Sequence, residues 1–148
     1  AFAIASADKV AAVMFGGGDF SGELGVELAW EPLLAARQQL LLACAEAGKP
    51  AIDVPFIRLE SEAGLAEEAA RARAIGLSAQ AAIHPTQLPA IHAAFLPTEA
   101  EVAEAREALA AYEAGGGRAI RFRGRMLEAP FIIRYRALVT RHEEQANA

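Results

Sequence analysis

The sequence predicts an α/β fold in which parallel strands alternate with helices. Three observations carry that expectation. Short apolar runs near residues 13, 52 and 81 each stop at glycine or proline, as buried strands do. The stretches between them repeat their apolar residues at helical spacing. The strand-to-strand interval is too long for hairpins and suits right-handed crossovers, which pair the strands in parallel.

The elements follow in order. Ala1 to Ala7 reads as the tail of a helix, and Asp8-Lys9 makes a polar junction. Val10 to Phe15 is the first strand. Three glycines, Gly16 to Gly18, stop it, and Asp19 follows at once. Gly16 to Glu31 reads as a long loop, because Ser21, Gly22 and Gly25 disfavour a regular helix. Pro32 suits the first turn of a helix whose apolar stripe is Leu33, Arg37, Leu40 and Cys44. Gly48 and Pro50 end that helix. Ala51 to Val54 is the second strand, and Ile57 to Gly64 an acidic loop. Leu65 to Ile75 is a helix with Leu65, Ala69, Ala72 and Ile75 on one face. Gln80 to His84 is the third strand, stopped by Pro85, and Thr86 to Phe95 a short helix.

Composition changes at Pro97, which divides the chain into residues 1–96 and 97–148. Thr98-Glu-Ala-Glu101 is a capping box that starts a helix running to about Ala114. Gly115 to Gly117 breaks it. Ile120 and Phe122 alternate with arginines up to Gly124, where the chain turns back toward Met126 as a hairpin. Pro130 opens a last helix. Alternation puts Met126 and Glu128 on the same side of the strand, so that Met126 packs and Glu128 projects.

Composition excludes several classes. The 148 residues are 54% hydrophobic and carry a net charge of -5 with no large basic block, which argues against a nucleic-acid partner. A single cysteine, Cys44, rules out an internal disulfide and a multi-cysteine zinc site. It lies on the apolar stripe of its helix, as a small core residue does. No apolar run is long enough to span a membrane, and no basic segment opens a signal peptide, so a reducing, cytoplasmic setting is expected. The chain opens without methionine, as if inside a helix, and three parallel strands leave an exposed edge. Both lead to the expectation that further βα units precede Ala1.

Asp19, Asp53 and His84 each fall at the carboxyl end of an expected parallel strand. Parallel sheets bind ligands on that side. Oxygen donors there suit a hard cation such as Mg²⁺ rather than zinc. Each residue also has a plain structural reading. Asp19 can cap its turn, Asp53 can bond backbone amides in the core, and His84 can bond the neighbouring loop. No Gly-x-Ser-x-Gly, Walker or Gly-x-Gly-x-x-Gly pattern is present.

Four segments occur in a specific order: Phe15-Gly-Gly-Gly-Asp-Phe-Ser-Gly-Glu-Leu-Gly25, Ala47-Gly-Lys-Pro-Ala-Ile-Asp53, Ala82-Ile-His-Pro-Thr-Gln87 and Gly124-Arg-Met-Leu-Glu-Ala-Pro130. Together they resemble the C-terminal half of the citrate lyase β-subunit family, within the HpcH/HpaI aldolase superfamily. The resemblance implies about strands six to eight of a TIM (β/α)₈ barrel over residues 1–96, followed by a helix–hairpin–helix lid over 97–148. It implies a Mg²⁺-dependent carbon–carbon lyase of the citryl-CoA or malyl-CoA type, acting beside a carboxylate through an enolate. It matches Asp19 to the family's metal aspartate and Glu128 to its acidic lid residue. Asp53 is expected as a second catalytic candidate, and Gly17, Gly18, His84 and Pro85 as the cofactor-binding mouth. The second metal carboxylate and the substrate arginine would lie before Ala1. Glu128 stands where the family carries aspartate, and the resemblance has it act in a neighbouring subunit of a homo-oligomer. A CoA-independent aldolase for hydroxy-keto acids and a non-catalytic ligand-binding homologue are the alternatives.

Overall fold

The computed structural model describes residues 1–146. The chain forms two compact units, Ala1–Phe95 and Leu96 onward.

The first unit is mixed α/β. Its elements are α1 (Phe2–Ala5), β1 (Val13–Met14), α2 (Gly17–Leu24), α3 (Trp30–Glu46), β2 (Ala51–Asp53), α4 (Glu62–Ile75), β3 (Ala79–Gln80) and α5 (Leu88–Phe95), with a 3₁₀ turn at Pro85–Gln87. The sheet order is β1-β2-β3. Both pairs are parallel, with Val13 opposite Ala51, Met14 opposite Ile52 and Asp53 opposite Gln80. That register fixes the two faces. Val13, Phe15, Ala51, Asp53 and Gln80 share one face by alternation, and α3 and α4 cover it. There Phe15, Ala51 and Val54 join Leu33, Leu40, Cys44, Leu65, Ala69 and Ala72 in one apolar core. On the opposite face Met14 is 56% exposed and Ile52 and Ala79 are half-buried.

Three expectations need correction. The segment after β1 is not a loop. Gly16 is the N-cap of α2, Gly25 closes it in the left-handed region at φ 67°, and the Ser21 hydroxyl donates to the Gly18 carbonyl. Glycine weakens a helix by about 1 kcal/mol per residue, but packing overrides propensity here. A Cβ on Gly17 would stand 3.0 Å from the Phe15 ring and 3.2 Å from Val54 Cβ, so any side chain there would press the ring or the valine aside for the helix to start this close to the sheet. The third strand is shorter than expected and begins earlier. Ala81 N still donates to Asp53 O at 3.1 Å, but Ile83 N turns away to Gln87 Oε1 at 2.9 Å, and Pro85 has no amide to continue the ladder. The first strand likewise keeps only its last part, with Phe15 N reaching Ile52 O at 2.9 Å beyond the ladder proper.

The second unit holds α6 (Glu99–Ala114), the antiparallel hairpin β4 (Ile120–Phe122) and β5 (Arg125–Leu127), and α7 (Ala129–Ala146). The capping box forms as read: Glu101 N donates to Thr98 Oγ1, and Thr98 N to Glu101 Oε2. Arg123 and Gly124, at φ 47° and 80°, make the two-residue turn. Ala108, Leu127 and Ile132 form its core, with Tyr112, Ile120, Phe122 and Tyr135 against them. Leu127, not Met126, is the residue that packs. Met126 is 62% exposed, because the hairpin turns its Leu127 side toward the helices.

A candidate metal and substrate site beyond the parallel strands

Asp19 lies in the first turn of α2, exposed to solvent. The strand β1 delivers it, and the Gly17 contact with Phe15 and Val54 fixes where the turn begins. Its carboxylate caps no amide of its own helix. Among the described residues it has no ion-pair partner. A negative charge in a first turn is favoured by the helix dipole, and this carboxylate remains available to a cation.

His84 is also exposed, just past β3. Its Nδ1 lies 2.8 Å from Thr86 Oγ1 and accepts from Thr86 N at 3.3 Å. An imidazole accepting at Nδ1 carries its neutral-state proton on Nε2. Pro85 starts the 3₁₀ turn, and Gln87 anchors that turn from below by donating to Phe56 O at 2.7 Å. Gly18 is exposed beside Asp19, whereas Gly17 is buried.

Asp53 does not share this open side. It ends β2 on the face that the helices cover, at 0% exposure. Arg37 Nε donates to both of its oxygens, at 2.8 and 3.1 Å, and Val54 N donates to Oδ1 at 2.9 Å. Arg37 is itself 1% exposed. Its guanidinium lies 4.7 Å from the Trp30 ring centroid and 5.4 Å from that of Phe15. Asp53 is therefore enclosed by the core in this chain, and its place behind the sheet follows from the period-2 alternation of β2. Arg37 was legible only as an odd charge on an apolar stripe. An arginine there, with an aspartate in a buried strand, is the signal for a core ion pair.

The pair sits in a polar layer. Glu68 Oε1 is 3.9 Å from Arg37 Nη2, and burial pushes the Glu68 carboxyl above its ordinary value despite the pull of Arg37. Gln80 Nε2 donates to Val54 O at 3.3 Å. Cys44 is buried, and burial raises its thiol, so it is an inert core residue.

Glu128 belongs to the second unit. It is half-buried between β5 and α7, and its carbonyl accepts from Phe131 N and Ile132 N at 3.0 and 3.3 Å, starting α7. Among the described residues no group of three or more His, Cys, Asp or Glu side chains is arranged to hold a metal. Asp19 thus fits a hard cation as one ligand of a larger set and does not complete a site alone. No described helix is long and apolar enough to cross a membrane.

Three comparisons bear on this arrangement. The chain is 32% identical over 134 residues to the mitochondrial citramalyl-CoA lyase of Mus musculus, covering 87% of this chain and 40% of that protein. It is 31% identical over 143 residues to the citrate lyase subunit beta of Escherichia coli K12, covering 93% and 47%. The crystal structure of CitE from Mycobacterium tuberculosis, in complex with magnesium, acetoacetate and coenzyme A, matches with a TM-score of 0.80 at 30% identity, over 95% of this chain and 55% of that one. The chain spans about half the length of these relatives. The HpcH/HpaI aldolase/citrate lyase family model matches residues 1–85, and on that match the chain belongs to this family.

Proposed function

We propose that this chain is the C-terminal part of a Mg²⁺-dependent carbon–carbon lyase that cleaves or forms a CoA thioester of a hydroxy acid. The observation that carries this is Asp19: exposed, unpartnered among the described residues, and set in the first turn of the helix that follows a parallel strand, where Gly17 packs closely on Phe15 and Val54. In the proposed barrel, residues 1–96 supply strands six to eight and the later segment the lid. The exposed Met14 on the sheet face away from the helices supports that reading, since a barrel interior would cover it. Relatives that bind magnesium and coenzyme A support the cofactor and the substrate class.

When bound, Mg²⁺ supplies positive charge to the oxygen that becomes negative as the carbon–carbon bond breaks. Asp19 gives the cation one anionic oxygen. Gly18, with no side chain beside Asp19, leaves room for a carboxylate to approach. His84 and Pro85 border the same mouth, with His84 able to donate from Nε2. Glu128 moves the proton between the substrate hydroxyl and the carbon in a neighbouring copy's site. Asp53 acts at one remove, as a positioning residue with Arg37.

The experiment combines two full-length variants, Asp19→Asn and Glu128→Gln, each assayed for keto-acid release from citramalyl-, malyl- and citryl-CoA and from the free hydroxy acids. Each variant alone is expected to be inactive, and mixed oligomers to recover part of the activity. Cleavage of the free acids only would replace the CoA substrate. A fully active Glu128→Gln protein would remove Glu128 from the chemistry.

A further inference from the structure

The chain leaves β3 through Ile83 and His84 into the 3₁₀ turn at Pro85–Gln87. Proline demands an extended residue before it, and His84 obeys with φ -144° and ψ 142°. An extended residue ahead of a helical turn is where a cap sits, and the His84 ring is that cap: Thr86 N donates to its Nδ1 at 3.3 Å. A backbone amide can only donate, so Nδ1 is the acceptor and carries no proton in the neutral ring. Thr86 Oγ1, 2.8 Å away, can turn its own proton toward the same lone pair. Asp, Asn and Ser are the usual caps. An imidazole differs from them in having a second nitrogen on the far side of the ring. Among the described residues nothing bonds His84 Nε2, and the side chain is exposed.

Gln87 fixes the turn that carries the ring. It is 3% exposed. Its Oε1 accepts from Ile83 N at 2.9 Å, and its Nε2 donates to Phe56 O at 2.7 Å. Each partner is a backbone group with one possible role, so the amide has one orientation. The first bond ties the turn to the residue before His84. The second ties it to the loop after β2, where the Phe56 side chain is buried in the core. We propose that Thr86 and Gln87 are positioning residues for His84: Gln87 sets where the ring stands, Thr86 sets its tautomer, and Nε2–H is thereby presented to a substrate oxygen as a fixed neutral donor. A neutral ring held this way has its lone pair occupied at Nδ1. It bonds an oxygen at Nε2 and does not take a proton there as a base. This role rests on the reading of His84 as part of the mouth. Two oxygens share the chemistry, a carboxylate of the acid portion and the thioester carbonyl.

The test is proton–nitrogen NMR of the full-length protein with isotope-labelled histidine, at mildly alkaline pH where an ordinary imidazole is neutral. His84→Asn identifies the His84 signals and keeps a good cap, so its urea midpoint is expected to stay near wild type. The wild-type ring is expected to carry its one proton on Nε2. Thr86→Val keeps the backbone amide and loses the hydroxyl, and it is expected to move the signals toward the averaged positions of a free ring, which mixes both tautomers. Thr86→Ser is expected to restore them. Gln87→Met is expected to release the ring in the same way, and the exposed Thr86 variants carry the test alone if that buried change unfolds the protein. In the keto-acid assay, His84→Asn is expected to lower kcat/KM by about tenfold, as for one lost bond to a charged oxygen, and Thr86→Val by less. A rise in KM with kcat unchanged assigns the donor to the carboxylate, and an equal fall in kcat to the carbonyl, whose charge grows in the transition state. A wild-type ring protonated at Nδ1, a Thr86→Val spectrum identical to wild type, or an unchanged kcat/KM in His84→Asn overturns the proposal. A full-length protein that cleaves none of the thioesters or free acids would strike the lyase reading, and the spectra would still decide what Thr86 and Gln87 do to the ring.

Discussion

The two sides of the three-stranded sheet treat charge in opposite ways. Behind it, between strands and helices, Arg37 and Asp53 are buried and bound to each other at 2.8 Å. Past its carboxyl ends, Asp19 and His84 stand in solvent, and Asp19 has no partner among the described residues. Two aspartates that look alike in sequence thus sit in opposite surroundings. A buried ion pair gains little net stability, because desolvating both charges offsets their attraction. What it supplies here is position. Asp53 holds Arg37, Arg37 lies against the Phe15 ring, and Phe15 is the ring that Gly17 must clear for α2 to begin. Those contacts run from the core to the turn that carries Asp19. On the proposed reading, the buried aspartate holds the frame from which the exposed one reaches a ligand.

The comparison can be broken most severely from behind. Asp53→Asn leaves the Arg37 charge buried without its counterion, and unfolding in urea is expected to show a loss of about 3–5 kcal/mol. An Arg37→Met, Asp53→Leu double variant, which removes both charges, is expected to recover much of that. If Asp53→Asn alone costs nothing, the pair is not the frame. Gly17→Ala comes next. The added methyl must push the Phe15 ring or Val54, and a loss of about 1–3 kcal/mol is expected, with weaker metal binding because α2 shifts. An unchanged urea midpoint would show that the contact yields freely.

Glu68→Gln sharpens the same contrast through pH. Burial raises the Glu68 carboxyl in the folded state, so folding favours its protonated form. That contribution is fully present below the unfolded value of 4.5 and is lost as pH rises through the raised folded value. The wild-type protein is therefore expected to lose stability across that interval relative to Glu68→Gln, whose midpoint should be flatter with pH. The shift is expected to be smaller than that of Gly17→Ala, since Glu68 keeps some attraction to Arg37. Parallel pH profiles for the two proteins would reject it.

The sequence made some of this plain and hid the rest for identifiable reasons. The capping box at Thr98 and Glu101 was legible because its bonds span three residues. The parallel order was legible from the spacing of apolar runs ended by glycine and proline. Asp19 stood out because it follows a strand and a glycine turn, and because its surroundings resemble a known family. Helix α2 was hidden, since its glycines argue for a loop and only the close approach to Phe15 and Val54 explains them. The Arg37–Asp53 pair joins residues sixteen apart in sequence, so no local pattern announces it. Strand ends alone left Asp53 open to both a site and a core role, and only the strand face, which alternation does not orient without the core, decides between them. The hairpin register went the same way. Met126 and Leu127 are neighbours on opposite sides of the strand, and alternation without a known core direction cannot say which of them faces inward.

The central claim is the division of labour between the two aspartates, and magnesium titration of Asp19→Asn in the full-length protein tests it most directly. Calorimetry is expected to show magnesium affinity reduced by at least about tenfold, since a neutral amide oxygen does not replace the charge of a carboxylate at a hard cation. The urea midpoint is expected to stay within about 0.5 kcal/mol of wild type, as for a surface change. Unchanged magnesium affinity, or a loss of stability comparable to that of Asp53→Asn, would contradict the account.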